Sequence, residues 1–324
     1  MQNNDMPKVS VIIPVYGVEK YIERCARSLF EQTLNDIEYI FVDDCSPDKS
    51  IEILERIIEE YRPRFAGEKK VVRIERMLTN SGQAAVRKHG IQFSTGDYVI
   101  HCDSDDWVDM DMYRIMYEEA KRTDADIVMC GYKATDGVKV FKECYHQQTN
   151  KAKLLSSLLI LHESWSVWNK MCKRSLYDSD IVYPTLAMGE DMVLTTQMVL
   201  NAQRIAVVNK ALYNYFYNPN SITKVQSESS RYKHWKDSAE NAKTVISIFK
   251  KKGLEHKYAN ELGYLKFLQK ELAGDLARKK KYSKEWLEMF QEINLRAFSN
   301  PFISNSRKLK FLVKLLYAEI LNVI

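Results

Sequence analysis

Residues 98–107 read YVIHCDSDDW, an apolar run of strand length that passes without a spacer into three carboxylates, Asp103, Asp105 and Asp106. A short run rich in β-branched and aromatic residues, bounded by such a break, is the pattern of a buried strand. Toward the N-terminus the pattern recurs three times. Val9–Val15 (VSVIIPV) gives way to Tyr16-Gly17, Ile37–Val42 (IEYIFV) to Asp43-Asp44-Cys45-Ser46, and Val71–Arg76 leads into Asn80-Ser81-Gly82. Between these runs the apolar spacing is helical. Tyr21, Ile22, Cys25 and Leu29 share one face, as do Ile51, Leu54, Ile58 and Tyr61 in a helix predicted from Pro47 to Tyr61, with Ser46-Pro47 as its N-cap and first-turn pair. Gln83–Phe93 and Met110–Arg122 also read as helices, and Ile127–Gly131 as another strand. Strict alternation of strand and helix predicts an α/β fold with a mostly parallel central sheet flanked by helices. Ligands of such sheets bind outside the carboxyl ends of the strands, where these polar breaks lie.

Asp43, Asp44, Asp103, Asp105 and Asp106 therefore gather at one sheet edge. Like charges crowded into a low-dielectric cleft repel, so a cation is expected among them. Carboxylate oxygens without neighbouring histidine or cysteine ligands suit Mg²⁺ or Mn²⁺, and these suit a diphosphate. An Asp-x-Asp string alone reads equally well as a solvated loop or a helix cap, and Asp109 is expected to cap the helix that follows it. Several polar strand ends in register favour the cation site.

Farther along, Lys133–Cys144 reads as a hairpin turning at Asp136-Gly137. A boundary is expected near Lys224, and from Tyr232 onward the pattern is helical. Leu254, Tyr258, Leu262, Leu265, Leu268, Leu272 and Leu276 step by threes and fours as one amphipathic stripe. The chain's 324 residues allow one large domain or two ordinary ones, and 45% hydrophobic with 28% charged residues is a globular balance. The net charge of +5 is uneven, because residues 225–324 carry 20 Lys and Arg against 11 Asp and Glu. Six scattered cysteines without a CxxC pair argue against a disulfide scaffold or structural zinc and suit a reducing cytoplasm. The opening residues lack the pattern of a secretory signal, and no apolar run reaches the length of a membrane-spanning helix.

The string VSVIIPVYG…VDDCSPD…NSGQAAVRKHG…GDYVIHCDSDDW, dense over residues 8–107, resembles the inverting glycosyltransferases of family 2, of the bacterial non-processive polysaccharide type. That resemblance implies the GT-A fold over 1–224, with 1–107 binding a nucleotide and 108–224 an acceptor, followed by a helical C-terminal region over 225–324. It implies transfer of a sugar from a nucleotide-sugar, expected to be a UDP-sugar, to a hydroxyl of a saccharide or lipid-linked acceptor in cell-surface polysaccharide synthesis. By the same resemblance Pro14 and Tyr16 lie at the nucleotide base, and Asp44 more than Asp43 accepts its hydrogen bond. Asn80 and Gly82 admit the nucleotide, and Arg87 supports the acidic cluster or a phosphate. Asp103-Ser104-Asp105 is the DxD motif, with Asp105 a metal ligand and Asp103 serving metal or ribose. On the acceptor side Asp191 is the expected general base, with Glu190 as the fallback. Trp168 is either a sugar platform or a core residue. The chain departs from the family pattern at Gly17, where Asn is usual, and at Val86-Arg87-Lys88, where Ala-Arg-Asn is usual; both bear on donor detail.

Arg231-Tyr232-Lys233-His234-Trp235 is similar to the RxxRW of processive synthases, but His stands for the last Arg, so it reads as a helix start. The basic helical end, with Arg278–Lys281 and Arg307–Lys310, has two readings. It lies peripherally on the inner face of the cytoplasmic membrane, or it packs on the catalytic domain with its lysines in water. No nucleic-acid module, P-loop, dinucleotide motif or HExxH site occurs. A sugar nucleotidyltransferase, or a nucleotide-sugar binding protein without activity, are the competing readings.

Overall fold

A computed structural model describes residues 6–178, 180–217 and 227–323. In chain order the elements are β1 (Val9–Val15), α1 (Ile22–Phe30), β2 (Ile37–Asp43), α2 (Ser50–Glu68), β3 (Lys70–Arg76), α3 (Gln83–Phe93), β4 (Tyr98–His101), β5 (Trp107–Val108), α4 (Met112–Thr123), β6 (Ile127–Thr135), β7 (Val140–Cys144), α5 (Lys151–Leu159), β8 (Lys170–Lys173), α6 (Glu190–Asn201), β9 (Ile205–Phe216), α7 (Glu228–Lys251), α8 (Ala259–Leu272), α9 (Lys280–Glu288), α10 (Ile293–Arg296) and α11 (Asn305–Val323). The chain forms two compact units, one of residues 1–154, 165–185 and 197–219, the other of 155–164, 186–196 and 220–324. The boundary expected at Lys224 falls outside the described residues.

The second unit is helical, but its apolar stripe is not one helix. Leu254 and Tyr258 precede α8, and Leu276 lies in a separate 3₁₀ turn. The helices close on Trp235, Phe267, Trp286 and Phe311, all but fully buried. Lys270 is buried among them and donates to the carbonyls of Trp286 at 2.6 Å and Leu287 at 3.2 Å. Burial pulls its ammonium down to about 7. Arg231–Trp235 sits in the first turns of α7, whose N-cap Ser227 accepts from the Ser230 N–H.

In the first unit the described strands build one nine-stranded sheet, ordered β3-β2-β1-β4-β8-β6-β9-β5, with β7 paired to β6. Its first four strands are parallel, as the alternating pattern requires. Beyond β4 the sheet is mixed: β8 runs antiparallel to both β4 and β6, while β6 and β9 are parallel. β1 and β2 are buried along nearly their whole length, which explains why they read as continuous apolar runs rather than alternating ones. The hairpin forms as expected, with Asp136 Oδ1 accepting from the N–H groups of Val138 and Lys139. Helix α2 runs past its expected end through Pro63 to Glu68. Proline costs a backbone bond there, but the extension brings the Phe65 ring 5.2 Å from Phe30 and buries it. The helix also starts later than predicted, because Ser46 is not its cap: the Ser46 Oγ instead accepts from Gly17 N–H at 2.9 Å.

Helix α3 packs on β1 and β2 at Gly90, where a Cβ would stand 2.5 Å from Ile12 Cγ2 and 3.3 Å from Val42 Cγ2. Both neighbours are fully buried, so neither has room to retreat. Alanine would gain about 1 kcal/mol of helix propensity at such a site, while overpacking costs roughly 1–3 kcal/mol, so the steric cost dominates. Gly90→Ala should lower the melting temperature. Gly67→Ala, exposed in α2 with nothing within 4 Å of its Cβ position, should leave it equal or higher. Matched thermal melts check the pair, and equal melting for both variants would contradict this packing.

Candidate active site

Strands β1 and β4 part at their carboxyl ends. Their pairing stops at Ile12 and His101, although β1 continues to Val15 beside β2. The Ile12 carbonyl accepts from Cys102 N–H and the Val15 carbonyl from Asp44 N–H, so backbone groups alternate between the two neighbours. Pro14, two residues after Ile12, therefore turns its missing N–H toward the side where the ladder has ended. A proline is tolerated in this central strand for that reason. The chain proceeds from β1 to β2 on one side and to β4 on the other, so the parting is the switch point at which an open α/β sheet binds its ligand.

Asp44 sits at this edge and is buried. Its Oδ1 accepts from Ser81 N–H at 2.7 Å and its Oδ2 from Gly82 N–H at 2.9 Å. The end of β2 is thereby clamped to the start of α3. Gly82 has φ +81°, a conformation that favours glycine, and nothing lies within 4 Å of its absent Cβ. One residue on, Gln83 Nε2 donates to Asp103 Oδ1 at 3.0 Å, and one turn on, Arg87 donates to the same oxygen at 2.7 Å. Arg87 is buried, so this ion pair is shielded from solvent. The chain of contacts Asp44, Ser81–Gly82, Gln83, Arg87 and Asp103 joins the ends of β2 and β4 through the first turns of one helix.

The Asp103–Trp107 loop has its own supports. Asp103 N–H donates to the Tyr213 hydroxyl at 3.1 Å, and that hydroxyl donates to Asp106 Oδ2 at 2.6 Å. Asp106 Oδ1 accepts from Phe216 N–H at 2.6 Å. Burial, followed by the charges of Asp105 and Asp103, pushes the Asp106 carboxyl well above the usual range. Arg24, from α1, stacks 3.8 Å above the Trp107 ring and 4.5 Å from Phe216 and donates to the Asp105 carbonyl at 2.8 Å. Burial lowers its pKa, and Asp106 and Asp105 partly restore it. Cys25 and Cys102 lie beneath the loop with their sulfurs 4.0 Å apart, and all six cysteines are free thiols. The hydrogen bond to Cys25 and burial hold the Cys102 thiol well above its usual pKa.

A glycosyl transferase family 2 model matches residues 10–184, which contain this whole strand-end cluster up to β8. The chain belongs to glycosyl transferase family 2. Glycosyltransferase EpsJ of Bacillus subtilis, itself uncharacterized, is 32% identical over 238 residues, covering 71% of this chain and 67% of EpsJ. A poly(ribitol-phosphate) beta-glucosyltransferase of Bacillus spizizenii is also 32% identical, over 65% of this chain but 32% of its own length, so the chain spans about a third of that relative. Among solved structures, the 1–349 portion of Staphylococcus aureus TarS in complex with UDP-GlcNAc superposes with a TM-score of 0.68 at 20% identity, covering 98% of this chain and 88% of that one. The shared fold is GT-A.

In this family-2 glycosyltransferase the expected residues divide between the two units. Pro14, Tyr16, Asp43, Asp44, Asn80, Gly82, Arg87, Asp103, Ser104 and Asp105 all belong to the strand ends, the loops that follow them and α3 of the first unit. Tyr16 is about half exposed and Asn80 exposed, whereas Ser104 is buried. Asp43 Oδ1 accepts from Ser46 N–H at 2.8 Å, which shapes its own loop. Trp168 stacks on Tyr213 at 4.2 Å and 14°, has a second stacked neighbour in Tyr215, and is 8% exposed. Its ring is part of the main core, which supports packing over a sugar platform. Glu190 and Asp191 open α6 in the second unit; Glu190 is buried and Asp191 partly exposed. Asp109 does not cap α4: its carboxylate takes Lys133 Nζ at 2.9 Å and Asn214 Nδ2 at 2.8 Å. Gln83 escaped the sequence reading, though its place at the first helical position after Gly82 marks it. Arg24 and Tyr213 lie 81 and 110 residues from their loop partners, and no local pattern announces them.

Asp44→Asn should expose the role of the clamp. An amide nitrogen would face one of two N–H donors, so one part-buried hydrogen bond is lost at a cost of about 1 kcal/mol. Faster amide exchange at Ser81 and Gly82, with a lowered melting temperature, is expected; unchanged exchange at both amides would show that the carboxylate does not hold the loop.

Proposed function

We propose that this glycosyltransferase moves a sugar from a nucleotide-sugar, a UDP-sugar, to a hydroxyl of a saccharide or lipid-linked acceptor with inversion, in cell-surface polymer synthesis in the cytoplasm. The observation that carries the reading is the clamp of Asp44, α3 and Asp103 at the parting of β1 and β4. It builds a polar, preorganised wall where a GT-A fold takes its donor. The relatives named for poly(ribitol-phosphate) glycosylation and for a UDP-GlcNAc complex support the choice of donor and acceptor classes.

Asp103 and Asp105 would hold a divalent ion. Both hydrogen bonds to the Asp103 side chain fall on Oδ1, and among the described residues no donor reaches Oδ2. Cys102 is the near thiol, and it is fully buried with its sulfur 4.0 Å from that of Cys25. Among the described residues no cluster of three or more His, Cys, Asp or Glu forms a closed cage. Two carboxylates with diphosphate oxygens and water are the usual surroundings of Mg²⁺ and also serve Mn²⁺. Such an ion supplies neutralising charge for the diphosphate that leaves.

The chain's own groups do the rest. Tyr16, Pro14, Asp43 and Asp44 bound the space for the base, and Asn80 and Gly82 admit the nucleotide along open backbone. Arg87 and Gln83 orient the Asp103 carboxylate, and Ser104 fills the turn between the two ligands. Asp191, with Glu190 beside it, removes the proton of the acceptor hydroxyl as it attacks opposite the leaving group.

A thermal-shift screen of nucleotide-sugars with and without Mn²⁺ tests the donor. Ligand at a hundred times its Kd stabilises by about 2.7 kcal/mol, so the true donor should raise the melting temperature and do so more with the ion. Asp105→Ala should lose both that shift and metal-dependent donor hydrolysis. Asp191→Asn should keep the shift and lose transfer at least about a hundredfold. Wild-type rates in Asp105→Ala, or loss of donor binding in Asp191→Asn, would overturn the respective roles.

A further inference from the structure

Helix α11 carries two apolar faces, and only one of them is covered. Phe311, Leu315 and Ala318 are buried, with the Phe311 ring 5.1 Å from Phe267 and 5.7 Å from Trp286. At about 100° per residue these three fall on one side of the helix. On the opposite side Leu309, Leu312, Val313, Leu316, Tyr317 and Ile320 form a stripe, and every one of them is exposed, from 39% at Leu312 to 64% at Leu309. The stripe spans about 140° of arc. A helix needs one apolar face to join its own core, so a second of this width is surplus to folding.

The margins say what the surplus face is for. Lys310 borders the stripe on one side, and Lys308 and Glu319, the one acidic side chain of the helix, on the other. Flexible ammonium stems beside an apolar strip can lie along it and place their charge at the level of lipid headgroups. The surrounding region is basic as well, with 20 Lys and Arg against 11 Asp and Glu from residue 225 onward. Among the described residues no helix is long and apolar enough to cross a membrane, so this one would lie on the surface rather than span it. A second copy of the chain is the poorer occupant, because two-fold pairing would set the same lysine-rimmed patch against itself.

We propose that the Leu309–Ile320 face of α11 seats the protein on an anionic phospholipid surface, the stripe entering the headgroup boundary and the lysines meeting lipid phosphates. Donor chemistry plays no part in this, so it stands or falls apart from the proposed function. Full-length protein should cosediment with vesicles containing phosphatidylglycerol at least about tenfold better than with pure phosphatidylcholine, since each lysine near such a surface adds roughly fivefold to partitioning. The triple variant Leu312→Glu, Leu316→Glu, Ile320→Glu should lose that binding with an unchanged melting temperature, because these side chains touch solvent. Lys308→Gln with Lys310→Gln should weaken it and flatten its salt dependence. If wild-type protein stays in the supernatant, or wild type and triple variant sediment alike, the proposal fails. It fails too if light scattering shows a dimer that the triple variant dissolves while vesicles are ignored, for then a second copy covers the face.

Discussion

Carboxylates crowded at the ends of neighbouring parallel strands must either be neutralised or be put to use, and most of the first unit's irregular structure follows from how this is done. Asp43 and Asp44 spend their charge on backbone N–H groups, which are fixed donors that cannot drift away, while Asp106 is buried between the Tyr213 hydroxyl and the Phe216 N–H. Two guanidinium groups stand on either side of what remains, Arg87 on Asp103 and Arg24 against the loop that carries Asp105. Coulomb energy that would oppose folding is thus turned into hydrogen bonds that fix loop shape.

The consequence is a rigid ligand edge made from otherwise mobile parts. The loop before α3 has its amides held by Asp44, the Asp103–Trp107 loop hangs from Tyr213 and Phe216, and Gly17–Glu19 is tied to Ser46, Ser50 and Asp48. Polar groups fixed before the substrate arrives need no reorganisation when charge develops on a leaving diphosphate. Asp103 is bound into this network through Oδ1, and among the described residues no donor reaches its Oδ2.

The second unit solves a different problem. Its core is built around two tryptophans, and a buried lysine is kept tolerable by two carbonyls and an indole face. Its last helix is bound on one side and lined with leucines on the other, an arrangement that core formation alone does not require.

Local chemistry decided much of this in the open. The runs at Val9, Ile37 and Tyr98 declare strands because β-branched residues suit a pleated, doubly buried surface. The break into Asp44 and Asp103 marks the carboxyl ends of β2 and β4, and Gly82 marks a turn with positive φ. These are short-range properties, so they can be read in order. What the sequence could not declare is partner choice over long separations. Asp106 read as one more of the crowded carboxylates until the fold brought Tyr213 and the Phe216 N–H to it, and Asp109 looked like a cap until Lys133 and Asn214 claimed it. For Trp168 the sequence left platform and core equally open, and only the fold shows its ring stacked on Tyr213 in the main core; Arg24 was silent until the sheet brought Trp107 beneath it. A carboxylate is the same group in every string; whether it holds a loop or a substrate depends on which donors the tertiary fold delivers to it, and on whether water can still reach it.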